Sequence, residues 1–181
     1  MKEIVDHIID IVNNSISAGA QNITIQIEES IKNDYLKLTI IDDGKGIDTD
    51  TIKIITDPFF TTKKDKKVGL GISLLKYHAE LSEGKFQIKS ELNKGTEVIA
   101  SFKLSHVDRQ PLGDIAGTII LLIMAHPNIH FVYKHKTDFG YFVLDTLDIK
   151  DIINDICTNG IMRRSLKEYI DENLKQIKAM K

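Results

Sequence analysis

Across residues 3–18, apolar side chains recur every three or four positions. Ile4, Val5, Ile8, Ile9, Ile11, Val12 and Ile16 fall on one half of a helical wheel, and Asp6, His7, Asp10, Asn13, Asn14 and Ser17 on the other. This spacing predicts an amphipathic helix over 3–18, closed by Gly19 as its C′ residue. The period then drops to two. Strands are predicted at 23–27 and 35–41, joined by a polar turn at 29–34, and again at 86–88 and 98–104, with Asn93, Lys94 and Gly95 as the turn between them. Between the two pairs lie a helical turn at 51–55, a lysine-rich segment without periodicity at 57–67, and a helix at 71–81 that stops near Gly84. Each strand has one apolar face and one polar or mixed face. The expected fold class is therefore α/β (α+β), a two-layer sandwich in which a mixed, mostly antiparallel sheet carries helices on one face.

Residues 105–113, with Pro111, read as a connector. Beyond them the pattern predicts an apolar helix at Ile115–Ala125, a hairpin from 130–135 and 141–144, a short helix at 149–156 and a helix at 163–179. Two units are expected: a larger one over 1–104 and a small C-terminal α+β unit over 112–181. There is no internal repeat and no low-complexity tract.

One position breaks the binary pattern. The face carrying Leu36, Leu38 and Ile40 continues in phase into Asp42. A charge in phase with a core face needs partners, or it costs several kcal/mol. A ligand amine is one such partner. An Asx-type turn, with the carboxylate capping backbone amides, is the other reading, and on this residue alone the two are even. Gly44 and Gly46 follow and let the backbone turn sharply and approach whatever the carboxylate binds.

Composition narrows the function classes. The chain has 181 residues, 42% of them hydrophobic, enough for one good core and a smaller appended unit. Lys+Arg 24 against Asp+Glu 26 leaves a net charge of -2, which argues against a nucleic-acid-coating protein. A lone cysteine, Cys157, excludes an intramolecular disulfide framework and a cysteine metal site, fits a reducing compartment, and reads as structural. The N-terminus lacks a signal-peptide pattern, and the apolar run Ile115–Ala125 is shorter than the about 20 residues a bilayer requires. A soluble, cytoplasmic protein without membrane or nucleic-acid partners is expected. His106, His126, His130 and His135 do not read as a metal site, because Pro127 interrupts them and no carboxylate or thiol spacing supports them.

Several residues carry candidate chemistry. Asp10 and Asn14 lie one helical turn apart, so their side chains reach the same space. A carboxylate can take a proton from water, and an amide oxygen is a neutral ligand suited to Mg²⁺; a plain solvated face is the alternative. Gly69, Leu70 and Gly71 open a helix whose free N–H groups suit an anion, and Lys63, Lys64, Lys66 and Lys67 precede them. The alternatives are a simple loop-to-helix junction and a solvated charged loop. Phe59 and Phe60 serve either a closing loop or the core. The Thr96 hydroxyl either reaches a ligand or sits in its turn.

The order of these pieces resembles the GHKL (Bergerat-fold) ATPase superfamily, which includes DNA gyrase, mismatch-repair MutL and the histidine kinases. The matching motifs are an N box (Asp10, Asn13, Asn14, Ser15, Gly19, Ala20), a D-x-G-x-G run (Asp42, Gly44, Gly46), an aromatic F box over 57–62, a lysine-rich lid over 63–67, a glycine pair at Gly69 and Gly71, and Gly95-Thr96, together covering residues 1–104. The resemblance implies ATP and Mg²⁺ as cofactors. It makes Asn14 the Mg²⁺ ligand, Asp42 the acceptor of the adenine amine, and Thr96 a helper at the adenine end. Gly44, Gly46, Phe59, Thr61, Thr62, Lys64, Gly69, Leu70 and Gly71 fall within its nucleotide-binding motifs, with Gly46 close to the base and Gly69 and Gly71 presenting amides to the phosphates. The N box is most similar to the MutL version, where a glutamate orients the attacking water; here Asp10, one methylene shorter, stands in that place as the candidate base. The resemblance implies a slow regulatory ATPase with a nucleotide-controlled lid and an unidentified protein partner; a protein serine/threonine kinase of the anti-sigma type and a non-catalytic nucleotide-sensing adaptor are the alternatives. No helical hairpin precedes the N box, so a histidine kinase's phosphoacceptor domain is not expected, and His7, within the N-box helix, is poorly placed to accept phosphate. The whole chain also resembles small stand-alone ATP-binding proteins of anaerobic bacteria encoded near iron-hydrogenase genes.

Overall fold

The computed structural model describes residues 1–54 and 70–180. The first helix, α1, runs over Ile4–Ser17. Its first turn leaves backbone N–H groups without helical partners. Ile4 N–H donates to Pro111 O and Val5 N–H to Leu112 O, while the Asp6 carboxylate accepts from the N–H groups of Lys2 and Glu3. The connector after residue 104 thus caps the helix that begins the chain. The other end stops at Ala18 and Gly19, where φ is +83°.

Strands β1 (Asn22–Ser30) and β2 (Tyr35–Asp42) follow, then α2 (Thr49–Ile54), α3 (Leu70–Leu81), β3 (Lys85–Glu91) and β4 (Gly95–Lys103). After the connector come α4 (Ile115–Ala125), β5 (His130–Thr137), β6 (Gly140–Asp145), a 3-10 turn at Lys150–Ile152, α5 (Ile153–Thr158) and α6 (Gly160–Gln176). All six strands form one sheet in the order β3-β4-β2-β1-β5-β6. Four of its pairings are antiparallel, and β1 with β5 is parallel. A parallel neighbour needs a crossover, which α4 supplies. The segment expected to form a C-terminal unit is therefore joined to the rest through the sheet, with Asn22 beside His130 and Glu28 beside Lys136.

The fold is the two-layer sandwich that the alternation implied, with helices on one face of a mixed, mostly antiparallel sheet. Ile23, Ile25 and Ile27 of β1, Leu36, Leu38 and Ile40 of β2, Val98, Ala100 and Phe102 of β4 and Phe131 and Tyr133 of β5 are all buried on that face. They pack against Ile4, Ile8, Ile11 and Val12 of α1 and Leu75 and Ala79 of α3 in one continuous core. Each fully buried aliphatic side chain contributes about 1.5–3 kcal/mol.

One residue departs from the helical wheel. His7, on the half read as polar, is fully buried. Its Nε2 lies 2.9 Å from Gln110 Oε1, and its ring meets His78 of α3 edge to face at 5.4 Å. The packing of α3 against α1 covers a position that a helix seen alone would leave wet.

Candidate functional site

Asp42 closes β2 at 9% exposure, on the core face its phase predicts. Its two oxygens are held differently. Oδ1 accepts the Gly44 N–H at 2.9 Å, which is the Asx turn, and Oδ2 accepts the Ser15 hydroxyl at 2.6 Å. The single Ser15 proton serves that short bond; Ile11 O lies farther away, at 3.2 Å. A carboxylate offers about four acceptor positions, so two protein donors leave room for a donor from a ligand. Both readings of this aspartate are thus compatible in one side chain. The adjacent Asp43 is exposed and accepts from Gln21 N–H, Asn22 N–H and Asn22 Nδ2. Partial burial pushes its carboxyl up, but those hydrogen bonds outweigh it and hold the carboxyl below the usual aspartate value.

The sheet extends this corner. Asp42 is opposite Thr96 of β4, and Thr96 is opposite Ser90 of β3, so the three share a row and a face. Ser90 Oγ lies 2.9 Å from Thr96 Oγ1, donates to Gly95 O and accepts the Ile47 N–H. Thr96 is thus placed beside Asp42, and its hydroxyl is oriented by Ser90.

The loop after Asp42 is fixed from two sides. Lys45 N–H donates to Ala18 O at the end of α1, and Asn93 N–H donates to Lys45 O. Gly44 is buried beside Asp42 and Ala18. Gly46 has φ +67°, and a Cβ there would come within 2.1 Å of Glu91 O, so both conformation and space require glycine. That close approach is to the β3–β4 hairpin.

Asp10 and Asn14 lie half-buried one turn apart on α1, as their spacing implied. Leu70 and Gly71 open α3 beside them. A Cβ at Gly71 would lie 2.7 Å from Asp10 Oδ2, so glycine lets the first turn of α3 reach the Asp10 carboxylate. The N-terminal N–H groups of a helix carry partial positive charge, which suits an anion there. Phe59, Thr61, Thr62, Lys64 and Gly69 lie outside the described residues.

Ser90 is the site residue that sequence reasoning missed, and Ser15, though part of the N box, was given no role of its own there. Each follows an apolar face in phase: Ser15 after Ile4, Ile8 and Ile11, and Ser90 after Phe86 and Ile88. A hydroxyl in that phase was the available signal. Of the histidines after residue 105, His130 pairs with Asn22 and Asp145, and His135 with Tyr133 and Glu29.

Comparison with known proteins is consistent with this geometry. A putative sensor protein of Shewanella frigidimarina is 36% identical over 103 residues, covering 56% of this chain and 16% of the relative. A probable C4-dicarboxylate sensor kinase of Halalkalibacterium halodurans is 33% identical over 91 residues, covering 48% of this chain and 17% of the relative. The chain therefore spans only a small part of the length of these curated relatives. Among solved structures, the N-terminal domain of a DNA repair protein superposes with a TM-score of 0.57 at 16% identity, covering 80% of this chain and 53% of that one, a likeness of fold. No helix among the described residues is long and apolar enough to cross a membrane. The family described as "Histidine kinase-, DNA gyrase B-, and HSP90-like ATPase" matches residues 1–106, more than half of the chain, and this protein belongs to that family.

Proposed function

We propose that this chain binds Mg·ATP in the corner bounded by α1, the end of β2 and the start of α3, and acts as a slow regulatory ATPase. The observation that carries the reading is Asp42, a carboxylate buried on the core face that keeps acceptor positions open after Ser15 and Gly44 N–H are served. Adenine presents an exocyclic amine, the kind of donor such a group takes. Thr96, beside it, offers a hydroxyl to the same ring.

Among the described residues, no group of three or more His, Cys, Asp or Glu forms a metal cage. The residues present fit Mg²⁺ all the same, because this ion is commonly held by one or two protein oxygens, with phosphate and water completing the shell. The Asn14 side-chain oxygen would be that protein ligand. Bound there, Mg²⁺ supplies neutralisation of phosphate charge. Asp10 takes a proton from the attacking water at its carboxylate, and the N–H groups at the start of α3 face the phosphates. The lysine-rich segment 63–67 is assigned by its sequence as a nucleotide-controlled lid, and a protein partner is the regulatory target. The unit at 1–104 is the ATP-binding one, and the smaller unit at 112–181 joins it through the sheet.

Calorimetric titration with Mg·ATP, followed by phosphate-release assays, tests this. Asp42→Asn should weaken binding roughly 100-fold, whereas Asp10→Asn should keep binding and lose turnover. Binding that is unchanged in Asp42→Asn would refute the base pocket.

A second reading, phosphotransfer to a protein, is favoured by the relatives named as sensor kinases. It predicts no phosphate release from the chain alone, and label from γ-labelled ATP appearing on a second protein. Binding without either reaction would leave a nucleotide-sensing adaptor.

A further inference from the structure

Among the described residues the sheet ends at β6, whose outer edge has no strand beside it. In the β5–β6 ladder Val143 is opposite Lys134 and Tyr141 opposite Lys136. The two-residue hairpin closes on Thr137 and Gly140, and beyond the other end Thr146 N–H donates to Phe131 O. Antiparallel alternation then makes Tyr133–Leu144 and His135–Phe142 the hydrogen-bonded pairs, and turns the N–H and C=O groups of Tyr141 and Val143 outward. Among the described residues, nothing hydrogen-bonds to those groups.

Beside this edge a cavity of about 350 Å³ opens between β6, the segment 148–152 and α6. Val143, Leu144, Ile149, Ile152, Leu166 and Tyr169 give it an apolar lining. Tyr169 is fixed by an edge-to-face contact with Phe142 at 5.9 Å, so one wall is held in place. Exposed apolar side chains lie along it: Tyr169 of the lining is 52% exposed, Leu147, beside Asp148 in the chain, 57%, and Tyr141 of β6, on the strand's other face, 77%. Scattered exposed apolar residues are ordinary, but a cluster beside an open strand edge is a liability unless something covers it. Two carboxylates, Asp145 and Asp148, complete the lining at one end. Asp145 is bound to His130 and to the Leu147 N–H, whereas the exposed Asp148 carboxylate has no partner among the described residues.

We propose that β6 and the groove between it and α6 bind an extended peptide segment of a partner protein, which joins the sheet as a seventh strand. Its backbone pairs with Tyr141 and Val143, its alternate apolar side chains enter the groove, and a lysine or arginine meets Asp148. Unpaired backbone groups in a row select a strand over a helix or a small molecule, because only a strand repeats donors and acceptors at that spacing. The unpaired carboxylate selects a basic peptide over an acidic one. This surface is built by residues 130–176, outside the nucleotide corner, and the inference does not depend on nucleotide binding.

Selection of a phage-displayed library of random decapeptides against the full chain tests the proposal. The expected winners alternate bulky apolar residues and carry lysine or arginine. A synthetic winner should lose at least tenfold in affinity against Val143→Pro, which removes an outward N–H without taking a bond from the β5–β6 ladder. Ser165→Trp, a substitution on the exposed groove wall of α6, should weaken it similarly, and Asp148→Asn severalfold. Thermal melting should stay within a few degrees for all three. N-methylation of alternate peptide amides should abolish binding. An empty selection, winners without alternation, or affinity indifferent to Val143→Pro would overturn the proposal. A concentration-dependent dimer lost in Val143→Pro would assign the edge to a second copy of the chain and overturn it as well.

Discussion

Asp42 and Glu29 close the same apolar face of the sheet at its two opposite ends. Ile23 is opposite Asp42 at one end, and Glu29 is opposite Leu36 at the other. Both carboxylates continue an apolar alternation in phase, and both are buried, at 9% and 4% exposure. Their surroundings differ in kind. Glu29 Oε1 lies 2.5 Å from His135 Nε2, His135 Nδ1 lies 2.5 Å from the Tyr133 hydroxyl, and Met180 N–H donates to both Glu29 oxygens. The network is fully internal and ties the end of β1 to β5 and to the C-terminal end of the chain. Burial, together with the Glu29 charge, holds the Tyr133 hydroxyl well above its usual pKa, so it stays a proton donor. Asp42 by contrast has one hydroxyl and one amide from its own corner. A buried charge signals that a partner is required, and only the partners present decide whether the charge serves architecture or a ligand.

Mutations at the two ends should therefore separate. Glu29→Ala should cost about 3–5 kcal/mol of stability in urea unfolding, because it strands His135 and the Met180 amide in the core, with nucleotide affinity unchanged wherever the protein remains folded. Asp42→Asn should lower ATP affinity roughly 100-fold, about 2.7 kcal/mol, yet change stability by under about 1 kcal/mol, since the Asn oxygen still accepts the Gly44 N–H. Equal stability losses at the two positions would erase the distinction between them. Tyr133→Phe should cost about 1–2 kcal/mol in the same unfolding assay, by leaving a buried imidazole nitrogen unpaired, with ATP titrations unaltered. Ser15→Ala belongs to the other end: about 1 kcal/mol of stability and a several-fold weaker ATP affinity.

The smallest effect concerns pH. Burial, above all, holds His7 below the ordinary histidine value of 6.5, against the opposing hydrogen bond to Gln110, and burial likewise lowers His78. Below about pH 6.5 the unfolded chain takes up protons that the folded chain refuses. Stability from these residues is fully present above that pH and is lost as the pH falls toward the depressed folded values. Urea midpoints at pH 7.5 and 5.5 should differ less in His7→Leu than in the parent, and an equal difference would exclude His7 as a source.

The helices and strands were legible because each follows from local periodicity. Residues 4–17 alternate at the helical period, and those of β1, β2 and β4 alternate at two, so each element declares its own buried face. Of the candidate site, Asp42 stood out by strand phase, Asp10 and Asn14 by helical spacing, and Thr96 and Gly71 by motif order; the structure brings them to one end of the sheet and to the facing turns of α1 and α3. Ser15 stood in the N box without a role of its own and Ser90 was overlooked, because a hydroxyl in an apolar phase draws less attention than a charge. Glu29 was read as part of a turn because the β1 alternation was closed at Ile27, one step too early, so its phase was not followed.

What the sequence by itself determined is the set of elements, their buried faces, the family and the aspartate that has to be answered. Tertiary structure alone decided how the elements answer one another. It set β5 parallel to β1, gave Glu29 a histidine 106 positions away and an amide 151 positions away, buried His7 under α3, and left the β6 edge open beside a groove. The reason is physical: periodicity records which side of a segment avoids water, a property of neighbours along the chain. The identity of the group that meets a buried charge depends on how distant segments pack, and no local pattern encodes it.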